Sequence, residues 1–315
     1  MGTAIAKHLE RHGHPIRLFD SDKKVVDAIN KTHRNTNYLP DLELGPDITA
    51  TANLTAAIKN AEVVFMVLPS RAVPSVIKML CPLLPEKTIL VNITKGLDPK
   101  TLEPPILCAE PHLQKRTCVV GGPAIAQDIM AGCPTGLIVA GKDPKALKTV
   151  KHLLESESVK IAVSNDAKGV GLAAALKNPY AIALGICDGL KYPTNAKALI
   201  LTVAMNEMRK ILEALGAHGE TALGLAGLGD LVVTSFSPHS RNRSFGERLA
   251  TSKTKNPAEL GLSTVEGIEA ASIAIRLIKR HHICAPLLLA VDQCLNAKED
   301  YSAPFRLFMK NLSLN

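Results

Sequence analysis

Lys177 is the residue of this chain whose surroundings most favour proton transfer. A helix at this point would place apolar side chains on the lysine's face: Ala173, Ala174, Tyr180, Ala181 and Leu184. A lysine in such a place more often carries its amine along the apolar surface out to solvent. If the amine instead ends in a polar cavity, desolvation lowers its pKa toward the range in which it exchanges a proton. Lys177 is therefore a candidate catalytic residue.

Two later segments carry groups that can hold a polar, anionic molecule. A glycine-rich turn at 224–229 ends at the carboxylate of Asp230, and the triplet Ser240-Arg241-Asn242 stands at a predicted helix start. A guanidinium donates paired hydrogen bonds to a phosphate, and the free N–H groups of a helix start also face an anion. Ser240 and Asn242 can add neutral donors. Each feature alone is usually ordinary surface; together they predict a site for a small phosphorylated substrate.

The composition limits the classes of partner. The chain has 315 residues, of which 46% are hydrophobic, so it can build one or two domains with aliphatic cores. It has no tryptophan and only 3% aromatic residues, which argues against a stacking platform for single-stranded nucleic acid. A net charge of +8 suits a dinucleotide or a phosphate ester. Because lysine and arginine are spread along the chain, we expect no nucleic-acid partner.

The cysteines and the chain start predict a cytoplasmic protein. Seven cysteines without CxxC spacing indicate reduced thiols, and no spacing typical of metal ligands occurs, so we expect no metal site. We find neither a secretory signal nor an apolar run of about 20 residues, so we expect no membrane insertion.

The two halves of the chain differ in pattern. Strands are predicted at 15–20, 62–68, 88–94, 117–121 and 135–140, alternating with helices at 2–12, 21–30 and 72–80. This alternation predicts a parallel sheet with helices on both faces. From about residue 166 the apolar spacing is helical almost throughout. We therefore predict an α/β, Rossmann-like dinucleotide-binding domain at 1–165 and an all-α substrate-binding and catalytic domain at 166–315.

Three candidate residues follow the carboxyl ends of predicted strands, where ligands bind in such sheets. Lys95 follows the strand at 88–94 and could meet both substrate and cofactor, the alternative being a solvated loop lysine. Gly122 and Ala126 follow the strand at 117–121, and Gly122 would let the backbone approach a ligand closely.

The first residues match the end of a dinucleotide-binding fingerprint. In G-x-G-x-x-G, Gly2 would be the third glycine, and Asp20 stands about 20 residues further on, where a ribose-binding acid is expected. We therefore expect the first strand and the first two glycines to be missing, which leaves two neighbouring strands without their central partner. An internal methionine taken as the start would explain this, and we expect roughly ten further residues upstream.

Taken in order, these segments resemble the NAD(P)-dependent glycerol-3-phosphate dehydrogenases of bacterial type, over nearly the whole chain. The segment 175–178 resembles that family's lysine motif, 224–231 its glycine loop and 240–242 its phosphate motif. Segments 38–40, 95–97 and 122–124 resemble its earlier landmarks, and 265–267 resembles a late cofactor contact.

The resemblance implies reversible hydride transfer between sn-glycerol 3-phosphate and NAD(P), giving dihydroxyacetone phosphate, with Lys177 as the proton acceptor. The substrate-binding residues it implies are Lys95, Gly122, Lys177, Asp230, Ser240, Arg241 and Asn242. The cofactor-binding residues it implies are Met1, Gly2, Asp20, Lys95, Ala126, Arg241, Thr264 and Glu266. It also implies a homodimer and a role in supplying glycerophospholipid precursors.

Some residues depart from the family pattern. Asp20 and Asp22 occupy a turn where arginine is common, so we predict NAD as the cofactor, with NADP possible. Pro179 follows the lysine motif, where a kink is expected. Val203 and Ala124 replace an arginine and a hydroxyl residue, which puts substrate affinity in question.

Two alternatives remain open. The chain could be a related dehydrogenase acting on another hydroxyacid or polyol, but a substrate without an anion would give Arg241 nothing to bind. It could also be a truncated, non-catalytic relative that acts as a binding module, which the missing first strand favours.

Overall fold

The computed structural model describes residues 1–108 and 115–313 and divides into two compact units. The first unit comprises Met1–Thr94, Pro105–Val120 and Ala124–Ala167, and the second comprises Lys95–Pro104, Gly121–Pro123 and Lys168–Asn315. Two short segments of the first half thus belong with the helical second half. The single boundary at 165–166 stays a prediction.

The first unit is built on parallel strands, as the alternating pattern predicts. In chain order the strands are β1 (Ile16–Phe19), β2 (Arg34–Asn35), β3 (Leu39–Glu43), β4 (Ile48–Thr51), β5 (Val63–Met66), β6 (Ile89–Asn92), β7 (Thr117–Gly121), β8 (Thr135–Gly141) and β9 (Val159–Ser164). Strands β5 to β9 form one sheet in that order, in which the pairs β5–β6, β6–β7 and β8–β9 are parallel. The short strands β2 and β3 form an antiparallel hairpin. Strands β2, β3, β4 and β9 were not predicted from the sequence.

The parallel strands fall into two separate sheets. Within the described residues, strand β1 pairs in parallel with β4 alone, and β5 stands at the edge of the five-stranded sheet. The break between β1 and β5 lies where the pattern predicts a missing central strand. The upstream extension itself stays a prediction.

The helices of the first unit pack with its strands and bury an aliphatic core. They are α1 (Gly2–Glu10), α2 (Lys23–Thr32), α3 (Leu54–Ile58), α4 (Val73–Leu80), α5 (Ala126–Met130) and α6 (Pro144–Leu154). Leu9, Val91, Val120, Val139 and Leu154 join one buried cluster from α1, the strands and α6. The core is aliphatic because its strands are rich in β-branched residues, which suit a sheet covered on both faces.

The second unit is helical. Its helices are α7 (Ala167–Gly189), α8 (Thr194–Ala214), α9 (Asp230–Phe236), α10 (Arg241–Leu249), α11 (Glu266–Arg280), α12 (Pro286–Asn296) and α13 (Ala303–Asn311). The described residues from 167 to 313 contain no strand. Helix α7 continues through Pro179, whose predicted kink stays a prediction. Val203, one of the departures from the family pattern, is buried on α8.

Helix α7 is the core helix of this unit. By length and composition it is apolar enough to cross a membrane, which the sequence analysis did not expect, but its whole apolar window is buried inside the protein. Helix α10 packs against it at very short range. A Cβ atom on Gly185 would lie 2.1 Å from the Arg243 carbonyl oxygen, and one on Gly246 would lie 2.2 Å from the Ile182 carbonyl oxygen. Only glycine permits this approach, which holds the start of α10 close to the lysine helix.

Candidate active site

Lys177 ends in a buried polar cluster instead of reaching solvent. The residue is 6% exposed although its helix is apolar. Its Nζ donates to Asp230 Oδ1 at 2.7 Å and to Thr234 Oγ1 at 2.6 Å, both on α9. A buried ammonium is tolerated only when it is paired and hydrogen-bonded, and these two acceptors meet that need.

Asp230 is the centre of the cluster. It is 1% exposed and begins α9, where a carboxylate is favoured by the helix dipole. The preceding glycine loop contains a π-helical turn, Leu225–Gly229, of a kind often found at functional sites. A Cβ atom on Gly227 would lie 2.0 Å from the Ala222 carbonyl oxygen, so the loop needs glycine to deliver Asp230 here.

Lys95 binds the second oxygen of the same carboxylate. Its Nζ donates to Asp230 Oδ2 at 2.5 Å and to the Gly122 carbonyl oxygen at 3.2 Å. Gly122 has φ +119°, a backbone conformation that favours glycine. The structure thus brings together four of the residues predicted from sequence, namely Lys95, Gly122, Lys177 and Asp230.

Lys177 and Lys95 share one carboxylate, and burial together with these neighbouring charges sets the protonation of Lys177. Burial and, second, the nearby charge of Lys95 lower the pKa of Lys177, the Asp230 carboxylate opposes both, and the net result is a pKa of about 8. Near neutral pH the amine is therefore mostly protonated, with a neutral fraction available to accept a proton.

Thr234 is a site residue that the sequence reasoning missed. It lies one turn after Asp230 on α9 and accepts from Lys177, so its hydroxyl proton can be donated elsewhere. Its four-residue spacing from Asp230 on a helix was the signal that could have found it.

Arg241 and Ser240 stand at the start of α10. Ser240 is the N-cap, and its side chain accepts from the Arg243 N–H at 3.3 Å. Arg241 is exposed, and its Nη1 donates to Ser263 Oγ at 3.3 Å, in the loop before α11. Since Asp188 also accepts from the Arg243 Nε at 2.7 Å, the first turn of α10 is tied to the end of α7.

The side-chain amide of Asn242 is engaged by two other groups of the protein. It is buried, its Nδ2 donates to Asn178 Oδ1 at 2.9 Å, and its Oδ1 accepts from the Gly267 N–H at 2.9 Å. Its binding of phosphate stays a prediction. Nearby, Glu266 is half-buried as the first residue of α11, and Thr264 is exposed two residues before it.

The first unit holds the remaining predicted cofactor residues. Gly2 begins α1, and Met1 precedes it, packed against the buried cluster of the sheet. Asp20 follows directly after β1, and its Oδ1 accepts from the Asp22 N–H at 2.9 Å. Ala126 begins α5. This set fits a dinucleotide, because it combines a helix start with a carboxylate at the carboxyl end of a parallel strand. Among residues 1–108 and 115–313 no group of three or more His, Cys, Asp and Glu side chains could hold a metal ion.

Comparison with known proteins places both halves of the chain in one family. The sequence models "NAD-dependent glycerol-3-phosphate dehydrogenase N-terminus" and "C-terminus" match residues 1–147 and 166–305. A Stenotrophomonas maltophilia protein named glycerol-3-phosphate dehydrogenase (NAD(P)+) is 35% identical over 306 residues, covering 95% of this chain and 88% of that one. One of the same name from Clostridium botulinum is 34% identical over 301 residues, covering 95% and 91%. The crystal structure of glycerol-3-phosphate dehydrogenase from Coxiella burnetii aligns with a TM-score of 0.90 at 30% identity, covering 98% of this chain and 95% of that one.

Proposed function

Because the chain belongs to the NAD-dependent glycerol-3-phosphate dehydrogenase family, we propose that it catalyses reversible hydride transfer between sn-glycerol 3-phosphate and NAD(P). The resemblance and the two-part fold class predicted from the sequence are both confirmed. The observation that carries the proposal is the buried Lys177–Asp230–Lys95 cluster, in which the pKa of Lys177 is lowered to about 8.

The cluster supplies the proton transfer that the reaction needs. In the oxidation, neutral Lys177 Nζ takes the proton of the C2 hydroxyl, and in the reduction its ammonium returns a proton to the ketone oxygen. When bound, the nicotinamide ring accepts or delivers the hydride. Asp230 positions the amine by accepting a 2.7 Å hydrogen bond from Lys177 Nζ. Thr234 Oγ1 accepts a second hydrogen bond from the same nitrogen at 2.6 Å. The second ammonium, on Lys95, can stabilise negative charge that develops on the substrate oxygen.

The start of α10 supplies the phosphate site. Arg241 offers a planar guanidinium whose fork matches phosphate oxygens, and the first N–H groups of the helix have no partner inside it. The Ser240 hydroxyl retains a proton to donate, because its oxygen acts as the acceptor in the cap. These groups favour a phosphorylated substrate over an uncharged polyol.

We propose NAD rather than NADP as the preferred cofactor. Asp20 and Asp22 lie in the turn after β1, where a carboxylate can accept from a ribose 2′-hydroxyl and repels a 2′-phosphate. A lower Michaelis constant for NADPH than for NADH would refute this preference.

The cellular setting belongs to the same proposal. We expect a cytoplasmic homodimer that supplies glycerophospholipid precursors, binds no nucleic acid and does not insert into membranes. No disulfide joins the cysteines whose side chains the structure describes, which suits a reducing compartment. The complete burial of the apolar window of α7 supports its role as a core helix.

The test is NADH oxidation in the presence of dihydroxyacetone phosphate, compared between the protein and its Lys177→Ala variant. We expect a fall in kcat of about 10²- to 10⁴-fold, the usual contribution of a positioned acid or base. Lys168→Ala is the matched control, because Lys168 lies on the same helix but pairs with Glu103 at 2.9 Å and is one-third exposed. No activity in the folded wild-type protein would favour another substrate or a non-catalytic relative.

A further inference from the structure

We propose that Asn242 is a positioning residue whose side-chain amide couples the substrate phosphate site to the cofactor site. It joins three helices of the second unit by hydrogen bonds to Asn178 on α7 and to Gly267 on α11. This inference rests on the proposed function, and it gives the Asn242 side chain a role other than direct contact with phosphate.

The orientation of this amide follows from its partners. A backbone N–H can only donate, so the atom of Asn242 that faces Gly267 must be the oxygen. The Nδ2 group is then the one that faces Asn178, which must present its own oxygen. Asn242 and Asn178 are 8% and 4% exposed, so both bonds are shielded from water and the loss of either would leave a buried polar group unpaired.

The sequence of α11 is adapted to this contact. The Gly267 N–H belongs to the first turn of α11, where N–H groups have no acceptor inside the helix. A Cβ atom on Gly267 would lie 2.9 Å from Asn242 Oδ1 and 3.0 Å from the Asn178 carbonyl oxygen. A larger residue would push the amide away, so glycine here permits the two hydrogen bonds that join Asn178, Asn242 and Gly267. We call these three residues and their hydrogen bonds the bridge.

Each residue of the bridge is the sequence neighbour of a residue with a proposed role. Asn178 follows Lys177, which transfers the proton. Asn242 follows Arg241, which is proposed to bind the phosphate, and Gly267 follows Glu266, which is predicted to bind the cofactor. A shift of any one bridge residue therefore moves a group that touches substrate or cofactor. The bridge makes binding at one site favour the geometry needed at the other, which is a coupling between two ligands.

The experiment measures that coupling directly. The dissociation constant of NADH is determined by fluorescence with and without saturating sn-glycerol 3-phosphate, a pair that binds without reacting, and the ratio of the two values is the coupling factor. Asn242→Leu has a similar shape but makes neither hydrogen bond. We expect its coupling factor to fall to about 1, with kcat reduced by roughly 10- to 100-fold, because small displacements of reacting groups are costly. Asn242→Ser, which cannot reach Asn178, serves the same purpose if Asn242→Leu does not fold.

Asn242→Asp is the variant that separates the bridge from direct phosphate binding. Its carboxylate still accepts from Gly267, and it accepts from Asn178 once that amide turns over, so the bridge survives. Its negative charge repels the substrate phosphate and weakens phosphate binding, whether Asn242 forms the bridge or contacts the phosphate directly. Retained coupling in Asn242→Asp with lost coupling in Asn242→Leu supports the bridge. Coupling equal to wild type in Asn242→Leu, or a wild-type protein that shows no coupling, overturns it. A wild-type protein inactive with NADH and dihydroxyacetone phosphate overturns the proposed function, and the bridge with it.

Discussion

The substitution Lys95→Met should raise the pH at which Lys177 loses its proton. Both ammonium groups donate to Asp230, at 2.7 Å from Lys177 and 2.5 Å from Lys95, so the two positive charges are close neighbours. Lys95 is the second cause of the lowered pKa of Lys177, after burial. Methionine keeps a similar length and apolar stem but removes the charge. Without that repulsion the protonated form of Lys177 is easier to keep, so its pKa should rise from about 8.

The size of the shift follows from the distance and the exposure. A neighbouring opposite charge shifts a pKa by about one to three units, and by analogy, because the Lys95 side chain is 19% exposed, we expect its like charge to shift the pKa of Lys177 by about one unit. One unit corresponds to about 1.4 kcal/mol between the two protonation states. At pH 7.5 the neutral fraction of Lys177 would then fall roughly eightfold, from about a quarter to about 3%. Oxidation of glycerol 3-phosphate needs the neutral amine and should slow accordingly.

The assay is kcat/KM for sn-glycerol 3-phosphate with NAD, measured from about pH 6 to pH 10.5, since this quantity reports the pKa values of the free enzyme. The readout is the pH at the midpoint of the rising limb of the kcat/KM profile. The maximum value of kcat/KM is not used, because Lys95 is also proposed to contact substrate. Asp230→Asn should move the same limb to lower pH, since it removes the carboxylate that favours the ammonium. Lys168→Met should leave the midpoint unchanged. A midpoint that stays near 8 or falls in Lys95→Met would refute the reasoning.

Three further predictions concern other groups. Arg241→Lys should raise KM for dihydroxyacetone phosphate by roughly 10- to 100-fold, since it loses a bidentate, charge-assisted contact of about 1.5–3 kcal/mol, and steady-state kinetics will show it. Asp20→Arg should lower KM for NADPH relative to NADH, because it replaces a carboxylate that repels the 2′-phosphate; an unchanged ratio would contradict the role of Asp20. Burial raises the pKa of Glu207 to about 7, although two backbone N–H groups and Tyr180 donate to its carboxylate. The folded state therefore binds more protons than the unfolded state from about pH 4.5 to about pH 7, so wild-type stability should fall as pH rises through this window, by on the order of 3 kcal/mol relative to Glu207→Gln. Urea unfolding of both proteins at pH 5 and pH 8 measures that difference, and parallel pH profiles would rule it out.

Local patterns in the sequence were sufficient for much of the fold. Short apolar runs located the strands that became β1 and β5 to β8, because a strand covered on both faces is a nearly continuous run of apolar, often β-branched residues. The same reasoning missed β2, β3 and β4, which are short and half-exposed and carry weak apolar signals. It also did not foresee that α7 would qualify as a membrane-length helix, since its burial depends on the helices packed around it.

The sequence by itself determined the family and the two-part architecture and indicated candidate site residues, because these depend on residue type and on order along the chain. Only the tertiary structure decided how those residues meet. Asp230 lies 53 residues from Lys177 and 135 from Lys95, and no local spacing specifies that one carboxylate receives both amines. The lowered pKa of Lys177 could not be predicted from the sequence either, since desolvation and neighbouring charges act through space. Asn242 shows the same limit: its residue type suited a phosphate, whereas packing against Asn178 and Gly267 determined which groups its amide contacts.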